Sequence, residues 1–250
     1  MVYRIPTLLA AAALFVGACS DDEPGEVEPD ARTPDAREPA VDASAPDAGE
    51  GPDAAPGCAD PTSVLVSPWT TVDTVSTGVV AATGNAATVD ATAGGSPNAA
   101  DNPYVYLKFT ADSVTKVEIT DVDSYKDASW DLAIKRFVLR VNGGDSGLGG
   151  VEVAKVVAED LADVTAAPAD GEFTTDDWAT DDCTLNPGPL GEPATALSDW
   201  YGYDEATSRL TPKGEIYVLR RADGSAIKLD LKTFYHDDVS GHYEIEWGAL

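Results

Sequence analysis

The sequence predicts an all-β protein, mainly antiparallel, with a single β domain following a disordered N-terminal tether. Three observations carry this reading. Ile227, Leu229 and Leu231 alternate with Lys228, Asp230 and Lys232, and Tyr243, Ile245 and Trp247 alternate with His242, Glu244 and Glu246. Such period-two alternation fits a half-buried strand, whose successive side chains point to opposite faces. Between segments 215–221 and 226–235 stands Asp223-Gly224, a pair suited to the positive-φ turn of a hairpin. Helical patterning is scarce throughout.

The N-terminus is organised for export. Residues 1–5 carry one basic side chain, Arg4, and residues 8–16 form an unbroken apolar run. That run is far short of the roughly 20 residues a membrane-spanning helix needs. A positive start, a short apolar stretch and small residues before a cut make a secretory signal. Here the small residues end at Val16-Gly17-Ala18-Cys19, which resembles the lipobox of bacterial lipoproteins. The resemblance implies a signal peptide over residues 1–18, cleavage before Cys19 and lipidation of Cys19. Several acyl chains together anchor stably, each buried CH₂ adding about 0.8 kcal/mol. Ser20 stands where an Asp would favour inner-membrane retention, so it resembles an outer-membrane address. The expected location is exported, lipid-anchored, at the outer membrane or cell surface.

From Cys19 to residue 57 the chain reads as a tether. Pro24, Pro29, Pro34 and Pro39 recur every five residues, and Pro-Asp-Ala repeats at Pro29, Pro34, Pro46 and Pro52. Residues 20–57 hold twelve acidic side chains against two arginines, and Val27 and Val41 are the only large aliphatics. Too little apolar surface is available there to offset the entropy of ordering. Charge repulsion and proline favour extension, with a reach on the order of 100 Å. The net charge of −28 repels nucleic acid and anionic lipid, so membrane attachment must come from the anchor. Of the three cysteines, lipidation takes Cys19 and leaves Cys58 and Cys183. In an oxidising compartment these form a disulfide most simply, since neither has zinc-site spacing.

Residues 58–250 are long enough for one domain with a real core. Residues 104–109 are aromatic and β-branched, as in a strand. Over 130–141, Trp130, Leu132 and Ile134 share one face while Phe137, Leu139 and Val141 share the other. A strand with this pattern needs a bulge, or must bury both faces. Asn142-Gly143-Gly144 then turns the chain, and 237–241 makes a final turn. Segment 77–100 reads as short strands with long loops, while the mixed periodicity of 151–164 leaves it open.

Residues 129–150 meet a known family. Ser129-Trp130-Asp131-Leu132-Ala133, Lys135-Arg136-Phe137 and Arg140-Val141-Asn142-Gly143-Gly144-Asp145-Ser146-Gly147 resemble the central signature of HmuY-like haem-binding lipoproteins. Tyr217-Val218-Leu219-Arg220-Arg221-Ala222-Asp223-Gly224, Ala226-Ile227-Lys228-Leu229 and Gly241-His242-Tyr243-Glu244-Ile245 resemble its C-terminal stretch. The resemblance covers most of 58–250. It implies an HmuY-like antiparallel β domain and a surface lipoprotein, not an enzyme, that captures haem and passes it to an outer-membrane uptake receptor. In the best-known members two loop histidines ligate the iron. Those loops correspond to 172–183 and 200–209, and neither contains His or Met. Haem remains the implied cofactor, without the family's bis-histidine ligation. The alternative is a structural or interaction lipoprotein that kept the fold and lost its ligand.

Within the second loop, Tyr201 and Tyr203 are the candidate ligands, because a tyrosinate can hold ferric haem. Trp200 beside them, with Phe173 and Trp178 from the first loop, could line a flat apolar slot. Other motifs read as structural. His236 and His242, the only histidines, look like solvated residues at a hairpin end, and no metal site is expected. Gly144-Asp145-Ser146-Gly147 copies a protease nucleophile motif, but both histidines lie downstream of it, so a turn explains it and no catalytic residue is assigned. Asp121, Asp123 and Asp127 lack the glycine and closing Glu of a calcium loop. Neither a phosphate-binding Gly loop ending in Lys nor a His-Glu-x-x-His motif occurs.

Overall fold

The computed structural model describes residues 57–250; the signal segment, Cys19 and the Pro-Asp-Ala tether lie outside the described residues. A six-stranded antiparallel sheet runs in the order β1 (Val80–Thr83), β2 (Ala86–Asp90), β12 (Val239–Ala249), β11 (Ala226–His236), β10 (Ile216–Arg220), β7 (Glu152–Val156). A four-stranded antiparallel sheet runs β4 (Val114–Val117), β3 (Val105–Phe109), β5 (Leu132–Lys135), β6 (Val138–Val141), and β8 (Tyr201–Asp204) pairs with β9 (Arg209–Pro212). Among the described residues, helix is limited to one α-helical turn, Asp121–Ser124, and short 3₁₀ turns.

The alternation read in the sequence builds the core. Ile227, Leu229 and Leu231 of β11 and Tyr243, Ile245 and Trp247 of β12 join Val105, Leu107 and Phe109 of β3 in one buried cluster between the sheets. Each such side chain contributes about 1.5–3 kcal/mol by leaving water. At the predicted hairpin Gly224 has φ +81° and Arg220 pairs with Ala226. The final turn is tighter than 237–241: Asp237 and Asp238 alone make it, both at positive φ, with His236 paired to Val239.

Segment 130–141 resolves its two-faced pattern by folding in two. Leu132 pairs with Val141 and Ile134 with Leu139, so both sets reach the same core. The turn at Arg136 has φ +50° without a glycine. It is pinned by the Arg136 N–H donating to Ala91 O (2.7 Å) and the Tyr243 hydroxyl donating to Arg136 O (2.8 Å). Trp130 does not share the face of Leu132. The chain bends at Asp131, and Trp130 packs with Trp69, Tyr104, Tyr106 and Ile119 on the opposite side of the sheet. The four-stranded sheet is therefore buried on both faces.

The open segments also take form. Residues 151–164 contain β7 and a 3₁₀ turn at Leu161–Asp163, and 77–100 contains β1 and β2. Cys58 and Cys183 form the expected disulfide, closing a separation of 125 residues.

Candidate functional site

The signature residues assemble a buried polar centre. Arg140 of β6 is enclosed by aromatic rings, its guanidinium carbon 4.6 Å from the Tyr125 centroid, 4.7 Å from Tyr104 and 5.0 Å from Trp178. Its Nε donates to Ser146 Oγ and its Nη2 to Ser146 O, both at 3.1 Å. The Ser146 hydroxyl in turn donates to Asp176, which also accepts the N–H groups of Val141 and Ala196 at 2.9 Å. Burial pushes the Asp176 carboxyl up to about 7. Gly144, at φ +60°, lies so close to the backbone of Asp176 that a Cβ would stand 2.0 Å from Asp176 O. Ser146 is thus fully buried, with its hydroxyl committed to Arg140 and Asp176, and the glycine-rich motif is a structural turn.

Asp131 makes a second junction. Its carboxylate accepts the Arg221 guanidinium through two nitrogens at 2.8 Å, the Lys108 ammonium at 2.9 Å and the Phe109 N–H at 2.8 Å. Burial alone raises its pKa, but Arg221 and Lys108 outweigh burial and hold it below the usual carboxylate range. The carboxylates of the acidic loop serve separate partners. Asp121 is buried and accepts from Tyr104 N–H and the Tyr106 hydroxyl, Asp123 from Thr120, and Asp127 from Ser129 N–H.

A cavity of about 330 Å³ opens beside the β8–β9 hairpin. Phe137, Leu210, Phe234 and Tyr235 supply apolar walls, Arg136 and Arg209 supply cations, and Tyr203 stands at its edge with 45% of its surface exposed. The hairpin is docked by Leu210 N–H donating to the Tyr235 hydroxyl at 3.0 Å. Arg209 lies over the Tyr235 ring, 4.0 Å from its centroid, and pairs with Asp238 at 3.0 Å. Arg136 reaches Ser240 Oγ at 3.4 Å.

The residues singled out in the sequence are divided among several places. Trp200 is buried in the main core, its indole N–H donating to Phe137 O at 2.9 Å. Tyr201 is buried beside it, its hydroxyl 3.2 Å from Glu192. Burial first, and Glu192 second, raise the Tyr201 pKa well above the ordinary tyrosine value, which opposes the tyrosinate form. Trp178 belongs to a separate cluster with Leu65, donating to Pro61 O at 3.1 Å. Phe173 stacks under the Arg220 guanidinium at 3.9 Å. Tyr203 alone of the set lines the cavity. The sequence reading did not single out Arg136 and Arg209 as site residues. With 16 basic residues against 44 acidic ones each arginine is a scarce cation, but these two stand 73 positions apart and nothing local joins them.

The family model of the HmuY protein matches residues 100–247, spanning both junctions and the cavity. The chain belongs to the HmuY family. No curated protein matches it. Among solved structures, it is similar to a protein from Bacteroides vulgatus described as HmuY-like and haem-binding, with 18% identity and a TM-score of 0.44, covering 65% of this chain and 91% of the other. It is also similar to the apo HmuY analogue of Tannerella forsythia, at 15% identity and a TM-score of 0.45, covering 69% and 96%.

HmuY membership makes haem the group to test against the cavity. Aromatic walls suit a flat macrocycle, and two guanidiniums suit its carboxylates. The volume lies at the low end of ligand pockets, roughly 300–1,000 Å³, so it would take an edge of a tetrapyrrole without enclosing it. For the iron, the cavity lining offers one phenol, Tyr203, and no histidine, methionine or cysteine.

Proposed function

We propose that this chain is an exported, lipid-anchored binding protein that holds haem, or a related planar apolar ligand bearing carboxylates, and presents it to an uptake receptor. One observation carries the reading: in an HmuY-family chain, Arg136 and Arg209 flank an aromatic-walled cavity. Arg136 and Arg209 orient the ligand by pairing with its carboxylates, while Phe137 and Phe234 take its apolar face. Tyr203 provides the oxygen that could reach a ferric centre; bound haem would supply that centre. The lipid on Cys19 holds the protein at the outer membrane or cell surface, and the acidic tether spaces the domain from it.

The test is a hemin titration of the full chain, followed at the Soret band. A saturable shift is expected, altered in Tyr203→Phe and unchanged in Tyr201→Phe. Absence of any shift in both oxidation states would sink the haem reading. That outcome favours a structural or interaction lipoprotein, a reading supported by the packed Trp178, Trp200 and Tyr201 in loops without His or Met. For the anchor, Cys19→Ser is expected to release the protein from membranes. Continued acyl labelling of that variant would refute it.

A further inference from the structure

The only two histidines of the chain are brought together. His236 ends β11, His242 lies in β12, and their ring centroids are 5.9 Å apart. A break in the strand ladder accompanies this. Tyr235 pairs with Ser240 and Thr233 with Glu244, leaving Phe234 against three residues, Gly241 to Tyr243. Gly241 takes φ +90° within that bulge, and a Cβ there would meet Thr92 Cα at 2.9 Å. Bulges re-aim side chains, and this one sets His242 toward His236 across the turn.

The pair lines a cavity of about 210 Å³ together with Thr88, Thr233 and Glu244. Both rings are reachable, His236 with 70% and His242 with 30% of the side chain exposed. Carboxylates back each ring: Asp90 Oδ1 lies 4.0 Å from His242 Nδ1, and Asp237 Oδ2 lies 3.6 Å from His236 Nε2. Both separations exceed hydrogen-bond reach, so the carboxylates act on the rings through charge. Among the described residues no set of three His, Cys, Asp or Glu is already assembled around a metal position. Two imidazoles with open positions around them therefore define the donor set.

We infer that His236 and His242 form a binding site for a divalent transition-metal ion, separate from the Tyr203 cavity and independent of the haem reading. Imidazole nitrogens select Cu²⁺, Ni²⁺ and Zn²⁺ over Mg²⁺ and Ca²⁺, with Cu²⁺ bound most tightly. Asp90 adds negative charge beside His242 and attracts a cation bound there. The ions meet a chain of net charge −28, whose field concentrates cations near the surface.

The test is titration of the purified full chain with CuCl₂, followed by calorimetry and by electron paramagnetic resonance. One ion per chain is expected, with two equatorial nitrogens in the spectrum. His236→Ala and His242→Ala should each leave one nitrogen and weaken binding by more than about tenfold, and Asp90→Asn by a smaller factor. Melting temperatures without metal should match the wild type in all three, which separates ligand loss from unfolding. Binding that is equally tight in both histidine variants would place the ion on the acidic surface and overturn the proposal, as would the absence of saturable binding. Hemin titrated into the same variants distinguishes a free ion from iron held in a porphyrin. Unchanged hemin behaviour is expected, and its loss in the histidine variants would overturn the free-ion site.

Discussion

Arg136 and Arg140 lie four residues apart on one hairpin and serve opposite purposes. Arg140 is sealed among Tyr104, Tyr125 and Trp178 and bonded to Ser146, so removing it would strand polar groups that nothing else can reach. Arg136 sits at the turn, partly exposed, its guanidinium reaching Ser240 Oγ by a long contact of 3.4 Å. The difference separates two kinds of polar residue. Asp131, Arg140 and Asp176 fix how the sheets and loops meet, while Arg136, Tyr203 and Arg209 line a cavity whose chemistry can change without disturbing the fold.

The largest effect expected on this view is at the sealed end. Arg140→Ala leaves buried carboxylates without their cation, and losses of about 3–5 kcal/mol follow when one partner of a buried charged set is removed. Urea unfolding measures this; a loss below about 1 kcal/mol would show that the centre is not holding the fold.

Lys135, on the same strand pair, should behave in the opposite sense. Its side chain is fully buried, and its Nζ has no hydrogen-bond partner among the described residues. Burial lowers its pKa from 10.5 to about 8. Between those values the unfolded chain binds more protons than the folded one, so this group makes stability rise with pH from about 8 to 10.5. Below about pH 8 the penalty is complete, on the order of 3 kcal/mol. Lys135→Met should therefore stabilise the protein at pH 7, and the advantage should shrink as pH rises through that window. A variant that is less stable than wild type at pH 7 would mean that the ammonium is favourably held.

Much of the fold was legible because its strongest signals are local. The alternation in β11 and β12 and the Asp223-Gly224 turn each depend on a few neighbouring residues. The β5–β6 hairpin was not legible, because its turn falls at Arg136, a residue with no local reason to adopt positive φ. Contacts from Ala91 and Tyr243, distant in sequence, hold it there. The site was harder still. Trp178, Trp200 and Tyr203 all read as loop aromatics, and composition cannot say that two are core and one faces a cavity. The pairing of Arg136 with Arg209 across 73 positions of sequence exists only once the β8–β9 hairpin docks on β11.

The smallest effect on stability should come from the cavity arginines, whose exposed contacts are worth under about 1 kcal/mol. Their effect on binding should be the reverse, since each charge-assisted hydrogen bond to a ligand carboxylate is worth about 1.5–3 kcal/mol. The decisive measurement is hemin affinity and melting temperature on the same preparation of the Arg136→Gln, Arg209→Gln double variant. Affinity should fall by about a hundredfold or more, with the melting temperature within about 4 °C of wild type. Hemin bound as tightly as by the wild type, or binding lost only through unfolding, would contradict the separation of fold from ligand cavity.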